Sequence, residues 1–358
     1  RAGVLADLKQ AGMQPAWLPL TLDVWGTIRA TLAFATFAAM ALLATTLSDA
    51  ARKRLLMLAM LAAIPMALLG FSQAAAGAGS PLRFFDYHHP IGAIGLFANR
   101  NHFADLLGLL LPFALAFAVH AQAGGRRPLA AAWYALAVVL LLAAALSFSR
   151  AGLALSVLAG AASLLLFRSG AARDRHALPV IALGVAGLAV ATYAWDGIAA
   201  RLTQDPLTDL RWQYVRYGMD ALRAWMPLGS GFGSFRDVYA TFEPIVAMRD
   251  VHALHAHNDL LEVLIEGGIP AGIILVLFVA LLVRKAVAST DLRSTRPDDT
   301  RAGFSFGIAA AIACAVPLLH SLVDYPLRTL AIAVPFGLVL SVLFSQGVAS
   351  SRPLMRSA

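Results

Sequence analysis

Nine apolar windows recur along the chain, at residues 30–48, 55–73, 103–121, 129–148, 151–167, 177–195, 260–283, 303–323 and 329–347. Each approaches the ~20 residues that an α-helix needs to cross the hydrocarbon of a bilayer. Lipid offers no hydrogen bonds to a backbone, so only helices or closed barrels satisfy their own peptide groups there. Barrel strands would read as ~10-residue segments of alternating polarity, and no such alternation is present. Composition agrees, with 59% hydrophobic and 13% charged residues where soluble domains carry about 25% charged. The expected fold is an all-α polytopic membrane protein of about nine transmembrane helices, forming a single transmembrane domain over 1–358. The lone cysteine, Cys314, leaves no disulfide framework. The chain starts at Arg1 and nothing in it reads as a signal peptide, so further N-terminal spans are expected to precede it.

The net charge of +8 does not by itself call for a nucleic acid, because inner-membrane proteins gather Lys and Arg on their cytoplasmic loops. No nucleic-acid partner is expected; membrane lipids are. Arg52, Lys53 and Arg54 follow the first window, Arg126 and Arg127 the third, and Arg168, Arg173 and Arg175 the fifth. Arg284, Lys285, Arg293, Arg296 and Arg301 follow the seventh, and Arg352 and Arg356 lie in the tail. If each window spans once, these segments share one side, the cytoplasmic one. Residues 1–25, 74–102, 147–150, 196–259 and 324–328 then face outward, with Trp25 and Trp195 as interfacial anchors. The expected location is the inner (cytoplasmic) membrane of a bacterium.

The longest outward segment, 196–259, is read as a large periplasmic loop between spans six and seven. It holds six arginines: Arg201, Arg211, Arg216, Arg223, Arg236 and Arg249. Leu210, Tyr214, Tyr217, Ala221 and Trp225 recur at helical spacing, which predicts an amphipathic surface helix. Asp209 is placed to cap it, and Pro227 with the glycines of "PLGSGFGSF" to end it. Gly229, Gly231 and Gly233 have no Rossmann context and need only a tight turn. Gly268 and Gly272 have the spacing of close helix packing.

Four polar constellations crowd the outward ends of the spans. "LHAHNDLLEVLIEGGIPAG" (254–272) sets His255, His257, Asn258 and Glu262 at the mouth of the seventh window. An imidazole there suits general-base chemistry. Solvation of a helix start is the plainer reading for His252 and His255, and either His255 or His257 remains open as the base. A loop metal site built from His88, His89, His255 and His257 is the alternative, although the H-E-x-x-H arrangement is absent. "SFSRAG" isolates Arg150 between two apolar windows, a costly position that suggests either a function or snorkelling. Arginine also grips phosphate by a bidentate fork, and Arg150 with Arg211 would make a diphosphate clamp. "GLFANRNHFADLL" gathers Asn99, Arg100, Asn101 and His102, with Asn99 or Asn101 as an N-cap. In "HSLVDYPLRT", His320 and Asp324 are four apart and share a face at the outer end of the eighth span, so the carboxylate could orient the imidazole; pairing of Asp324 with Arg328 is the other reading.

Taken in order, "LRWQYVRYGMDALRAWMPLGSGFGSFRDVY" followed by "HAHNDLLEVLIEGGIPAG" resembles the signature of the O-antigen ligase and O-antigen polymerase (Wzy-C) superfamily. "FANRNHFAD" and "SFSRAG" resemble its upstream motifs and "HSLVDYPL" its downstream one, so the likeness runs from about residue 85 to 340. The resemblance implies a GT-C-like membrane glycosyltransferase acting at the outer face of the inner membrane. It implies a glycan donor on undecaprenyl diphosphate and an acceptor hydroxyl on the lipid A core, on a growing glycan or on a protein. It further implies an inverting reaction without a metal or other cofactor. His257 would be the base and Arg150 and Arg211 would hold the diphosphate. Asn99, Arg100, Asn101, His255, Asn258, Glu262, His320 and Asp324 would support them. A transporter or flippase with a proton-linked relay is the rival class, and its mark would be ionisable residues at mid-span in broken helices.

Overall fold

The computed structural model describes residues 2–13, 19–85, 92–167, 210–248, 252–291 and 301–345. Among these residues there is no strand. The helices are α1 (Ala2–Gln10), α2 (Val24–Thr46), α3 (Asp49–Ala76), α4 (Arg100–Ala123), α5 (Arg127–Leu146) and α6 (Arg150–Leu166), then α7 (Leu210–Trp225), α8 (Phe235–Ala240), α9 (Asp259–Asp291), α10 (Arg301–His320) and α11 (Leu330–Ser345). Eight of the nine apolar windows thus become helices; the ninth, 177–195, lies outside the described residues, as do His88, His89, Trp195 and Asp209. Five helices are long and apolar enough to cross a membrane by length and composition, and α6, α10 and α11 add shorter apolar helices. The chain is an all-α polytopic membrane protein.

Local chemistry sets the helix starts. Asp23, Ser48, Asn99 and Ser149 each accept a backbone N–H from the first turn of α2, α3, α4 and α6, relieving donors that have no intrahelical partner. The guanidinium of Arg52 donates to Ala44 O at 3.0 Å and Thr45 O at 3.2 Å, closing the end of α2 from the start of α3. The central helix is α4, buried along most of its length between α5, α6 and α10. Close approach to α6 depends on small residues: a Cβ on Gly152 would lie 2.5 Å from that of Ala104. That contact sets the first turn of α6, with Arg150, level with the first turn of α4.

The helix ends sort into two poles. At one pole, Gln73 near the end of α3 binds Gly95 through both ends of its amide, and Ala93 N–H donates to Leu146 O at the end of α5. The start of α2 is tied there too, Leu22 N–H donating to Ser230 O, and Asp259 N–H at the start of α9 donates to Ser321 O beyond α10. Arg52, Lys53, Arg54, Arg126 and Arg127 lie at the other ends of α3 and α5. Late in α9, Arg284 precedes Lys285, whose ammonium sits 5.7 Å above the Phe344 ring near the end of α11. The basic stretches after the first and third windows thus lie away from the polar motifs, while Arg168, Arg173, Arg175, Arg293, Arg296, Arg352 and Arg356 lie outside the described residues.

The amphipathic helix expected in the long loop is α7. Tyr214 and Ala221 of its apolar face are covered by protein, in a small second core with Phe235 and Tyr239 of α8 and Leu261 and Ile265 of α9. The expectation that Gly268 serves only close packing is corrected. Gly268 has φ +59° and ψ −153°, and it breaks α9 after its first turns. Pro65, Pro112, Pro317 and Pro335 sit inside α3, α4, α10 and α11. The turn after α7 takes up the hydrogen-bonding groups the break releases: Ser230 N–H donates to Ile265 O, Gly231 N–H to Glu266 O, and Ile269 N–H to Pro227 O. A Cβ on Gly268 would fall 2.2 Å from Pro227 O. Gly268→Ala is expected to lower stability by more than the ~1–3 kcal/mol of a left-handed non-glycine residue, because the clash adds to it. Gly272→Ala is the control, since its Cβ would meet only the mobile tip of Leu264, at 2.9 Å. Thermal unfolding midpoints in detergent compare the two, and equal midpoints would refute the role given to the break.

Candidate active site

The polar pole carries an imidazole held by a buried carboxylate. His257 Nδ1 lies 3.0 Å from Asp324 Oδ1. Asp324 is wholly shielded from solvent, whereas the side chains of His257 and Arg211 keep 27% and 35% of their exposure, so a reactant can reach the imidazole but not the carboxylate. His257 has φ +49°, one of two non-glycine residues in the described chain with positive φ. Such a conformation is uncommon outside glycine and tends to mark sites where the surroundings dictate geometry. The His257 ring stacks on Tyr214 at 5.8 Å and 16° and meets Tyr325 edge-on at 4.9 Å.

Asp324 gathers donors from four parts of the chain. Asn101 Nδ2 donates to Oδ2, Tyr325 N–H donates to Oδ1 at 3.0 Å, Arg211 Nη2 stands 3.8 Å from Oδ2, and His102 Nε2 4.0 Å from Oδ1. Burial alone would push this carboxyl up, but the His257 hydrogen bond and the neighbouring Arg211 guanidinium hold it well below the usual carboxylate range. An ionised carboxylate accepts only, so Nδ1 of His257 carries the hydrogen and Nε2 is left as a basic lone pair.

A second imidazole–carboxylate pair stands beside the first. His255 Nδ1 lies 2.8 Å from Glu262 Oε1, and Ala256 N–H donates to Glu262 Oε2 at 2.7 Å. Arg328 binds the same acid together with two others: Nε donates to Asp259 Oδ1 at 3.0 Å, and Nη1 reaches Glu266 Oε2 at 3.0 Å and Glu262 Oε1 at 3.1 Å. Burial would lower the guanidinium's pKa, but the three carboxylates hold it above the usual arginine value. Glu266 also accepts Gly233 N–H and Phe235 N–H, joining the 226–234 turn to this network.

Two sequence readings are corrected here. His320 is oriented by Asp105, at 2.9 Å, not by Asp324. The helix ends at His320, so the i, i+4 face that would have joined His320 to Asp324 does not exist. Nor does Asp324 pair with Arg328, whose turn, Pro326–Arg328, directs it to the acids of α9. Asn99 proves to be the cap of α4, accepting Asn101 N–H at 2.8 Å, while Asn101 belongs to the Asp324 cluster. Asn258 caps α9, accepting Leu261 N–H, and also donates to Leu322 O. Arg100 opens α4, partly buried, and Arg150 opens α6, exposed. Arg211, His257, Asp324 and Asn101 therefore converge, with His255 and Glu262 alongside. Among the described residues no group of three His, Cys, Asp or Glu side chains is arranged to hold a metal ion. Sequence reasoning missed Asp105 and Tyr325, and did not foresee that Asp259 and Glu266 hold Arg328. An acid inside an apolar run was the available signal for Asp105, whose second carboxylate oxygen has no hydrogen-bond partner among the described residues.

Fold and site together define a polytopic helical membrane protein with two imidazole–carboxylate pairs at one pole of its bundle. The family model Wzy_C, described as O-antigen ligase, matches residues 135–276. The match runs from within α5 into α9 and takes in Arg150, Arg211, His255, His257 and Glu262. Asn101, Asp324 and Arg328 lie outside it. No curated protein matches the chain.

Proposed function

We propose that this protein transfers a glycan from an undecaprenyl-diphosphate-linked donor to a hydroxyl acceptor at the periplasmic face of the inner membrane, with the lipid A core as acceptor. The Wzy_C match supports glycosyl transfer of the O-antigen ligase/polymerase type; donor, acceptor and mechanism are our reading. The observation that carries it is the exposed imidazole of His257 on the buried carboxylate of Asp324, with Arg211 on the same carboxylate. The short basic stretches at residues 52–54 and 126–127, at the opposite ends of α3 and α5, support an outward-facing site.

In this reaction Nε2 of His257 takes the proton of the acceptor hydroxyl as its oxygen forms a bond to the anomeric carbon. The bond from that carbon to the phosphate oxygen breaks, and the electron pair leaves with the diphosphate. Attack opposite the leaving group inverts the anomeric centre. Arg211 and Arg150 stabilise the departing diphosphate, a task for fixed cations at the low-dielectric edge of the bilayer. The site needs no metal, because the guanidinium groups neutralise the leaving group. A lipid-linked donor fits the location, since its tail stays in the bilayer while its head reaches the pole.

The test is to replace the chromosomal gene by the His257→Ala or Arg211→Ala allele and to run surface polysaccharide on a gel. Loss of the long-chain ladder in both, with the variants present in the membrane, is expected; a wild-type ladder in both sinks the proposal. In a reconstituted assay Arg211→Ala should lower the rate about 10²-fold, the scale of removing one charge-stabilising donor, and Arg211→Lys should recover only part.

One observation favours a transporter instead: α9 is broken at Gly268, as transporter helices often are. Flux of lipid-linked glycan across proteoliposomes without covalent product would select that reading.

A further inference from the structure

One aromatic ring touches three of the imidazoles at the polar pole. The centroid of Tyr325 lies 4.1 Å from that of His255, 4.9 Å from His257 and 4.8 Å from His102. Its plane is tilted 32° to His255 but stands at 71° to His257 and 87° to His102. Its own N–H donates to Asp324 Oδ1, the oxygen that also faces His257 Nδ1. Three residues on, Arg328 is anchored by Asp259, Glu262 and Glu266. The ring is thus fixed on one side by the carboxylate of the first imidazole pair and on the other by the ion cluster that contains the carboxylate of the second.

The two pairs are chemically alike. His257 on Asp324 and His255 on Glu262 each present Nδ1 to a buried carboxylate, and only Ala256 separates the histidines. Rotation about the side-chain bonds of an imidazole is fast, and a base that drifts off its carboxylate loses both its tautomer and its aim. Tyr214, stacked nearly parallel to His257, permits the ring to slide in its own plane. A ring set across it, as Tyr325 is, blocks that slide and also fills the gap toward His255.

We propose that Tyr325 is a positioning residue for the transfer: its ring, wedged among His102, His255 and His257, fixes the plane of the His257 imidazole and keeps His257 and His255 each on its own carboxylate. This rests on the reading of His257 as the base. Tyr325 acts through His257, so its loss slows the chemical step without weakening donor binding. Misalignment of a reacting group by about 1 Å is enough to cost up to ~10²-fold in rate.

Steady-state kinetics on the purified full chain, with a synthetic undecaprenyl-diphosphate oligosaccharide as donor and purified lipid A–core as acceptor, test this. Tyr325→Phe keeps the ring and should retain kcat within about 2-fold. Tyr325→Leu keeps bulk without the ring and should lower kcat about 10- to 100-fold while donor KM stays within about 2-fold. A Leu variant with wild-type kcat overturns the inference, as does a Phe variant that falls as far as Leu, or a Leu variant whose loss is entirely in KM. If Tyr325→Leu is not monodisperse, Tyr325→Met is measured in its place; if neither is recovered, the ring is a folding determinant and the inference falls. His257→Ala is run alongside. Activity in that variant refutes the base assignment itself, whereas an inactive His257→Ala with an unaffected Tyr325→Leu refutes only the role of Tyr325.

Discussion

Asparagine in place of Asp324 is expected to lower the transfer rate about 10³- to 10⁴-fold in a protein that still folds. Every group around this side chain donates: His257 Nδ1, Asn101 Nδ2, the N–H of Tyr325 and, farther out, Arg211. A carboxylate accepts from all of them. An amide of the same shape offers one accepting oxygen, and wherever its NH₂ points it meets a donor. Turned toward His257, that NH₂ makes Nδ1 the acceptor, moves the ring hydrogen to Nε2 and removes the lone pair that would take the acceptor's proton. Turned toward Asn101 and Arg211, it loosens the arginine that shares the site. Because the carboxyl sits well below its usual range in the folded chain, it contributes stability at neutral pH that is lost only as the pH falls below that range. Single-turnover rates at saturating donor, with elution profiles in detergent as the check on folding, measure the effect. A rate within about 10-fold of wild type would mean that Asp324 does not orient a base.

Removing Arg328 should produce the largest loss of stability. Arg328→Leu leaves Asp259, Glu262 and Glu266 facing one another with no guanidinium among them. Breaking a buried ion cluster by deleting one partner typically costs about 3–5 kcal/mol, because the remaining charges stay desolvated. The cluster joins the start of α9, the 226–234 turn and the segment leading to α11, so the loss should appear as a lower unfolding midpoint of the whole bundle. Glu266→Gln and Asp259→Asn added to Arg328→Leu should recover part of the midpoint, since they remove the stranded charges. No recovery in the triple variant would show that packing of the arginine stem, not charge, is what matters.

The helices were legible because lipid imposes a length and a composition, and eight windows marked their apolar spans while leaving several ends, such as those of α2, α3 and α9, short by more than a turn. The break in α9 was not, because two glycines followed by Pro270 inside an apolar run look the same whether they pack a helix or interrupt it. The distinction comes from the 226–234 turn, a partner remote in sequence that takes the released hydrogen bonds. His257, Asp324, Arg211 and Asn101 were recognisable as polar residues at helix ends. Their pairing was not, since it depends on α10 stopping at His320, which turns Asp324 away from the face that helical spacing assigned to it. Tyr325 went unseen because an aromatic residue near a membrane boundary ordinarily needs no explanation beyond anchoring.

The interruption at Gly268 has a mechanical corollary. The opening turns of α9 are fastened to the 226–234 turn, while the stretch after the glycine is the part long enough to traverse lipid. Bilayers of different thickness change the tilt of a traversing rod, and here the rod can lean without carrying the imidazole and its carboxylate along. The imidazole–carboxylate geometry is thereby insulated from the elastic state of the surrounding lipid, as the proposed transfer from a lipid-borne donor would require.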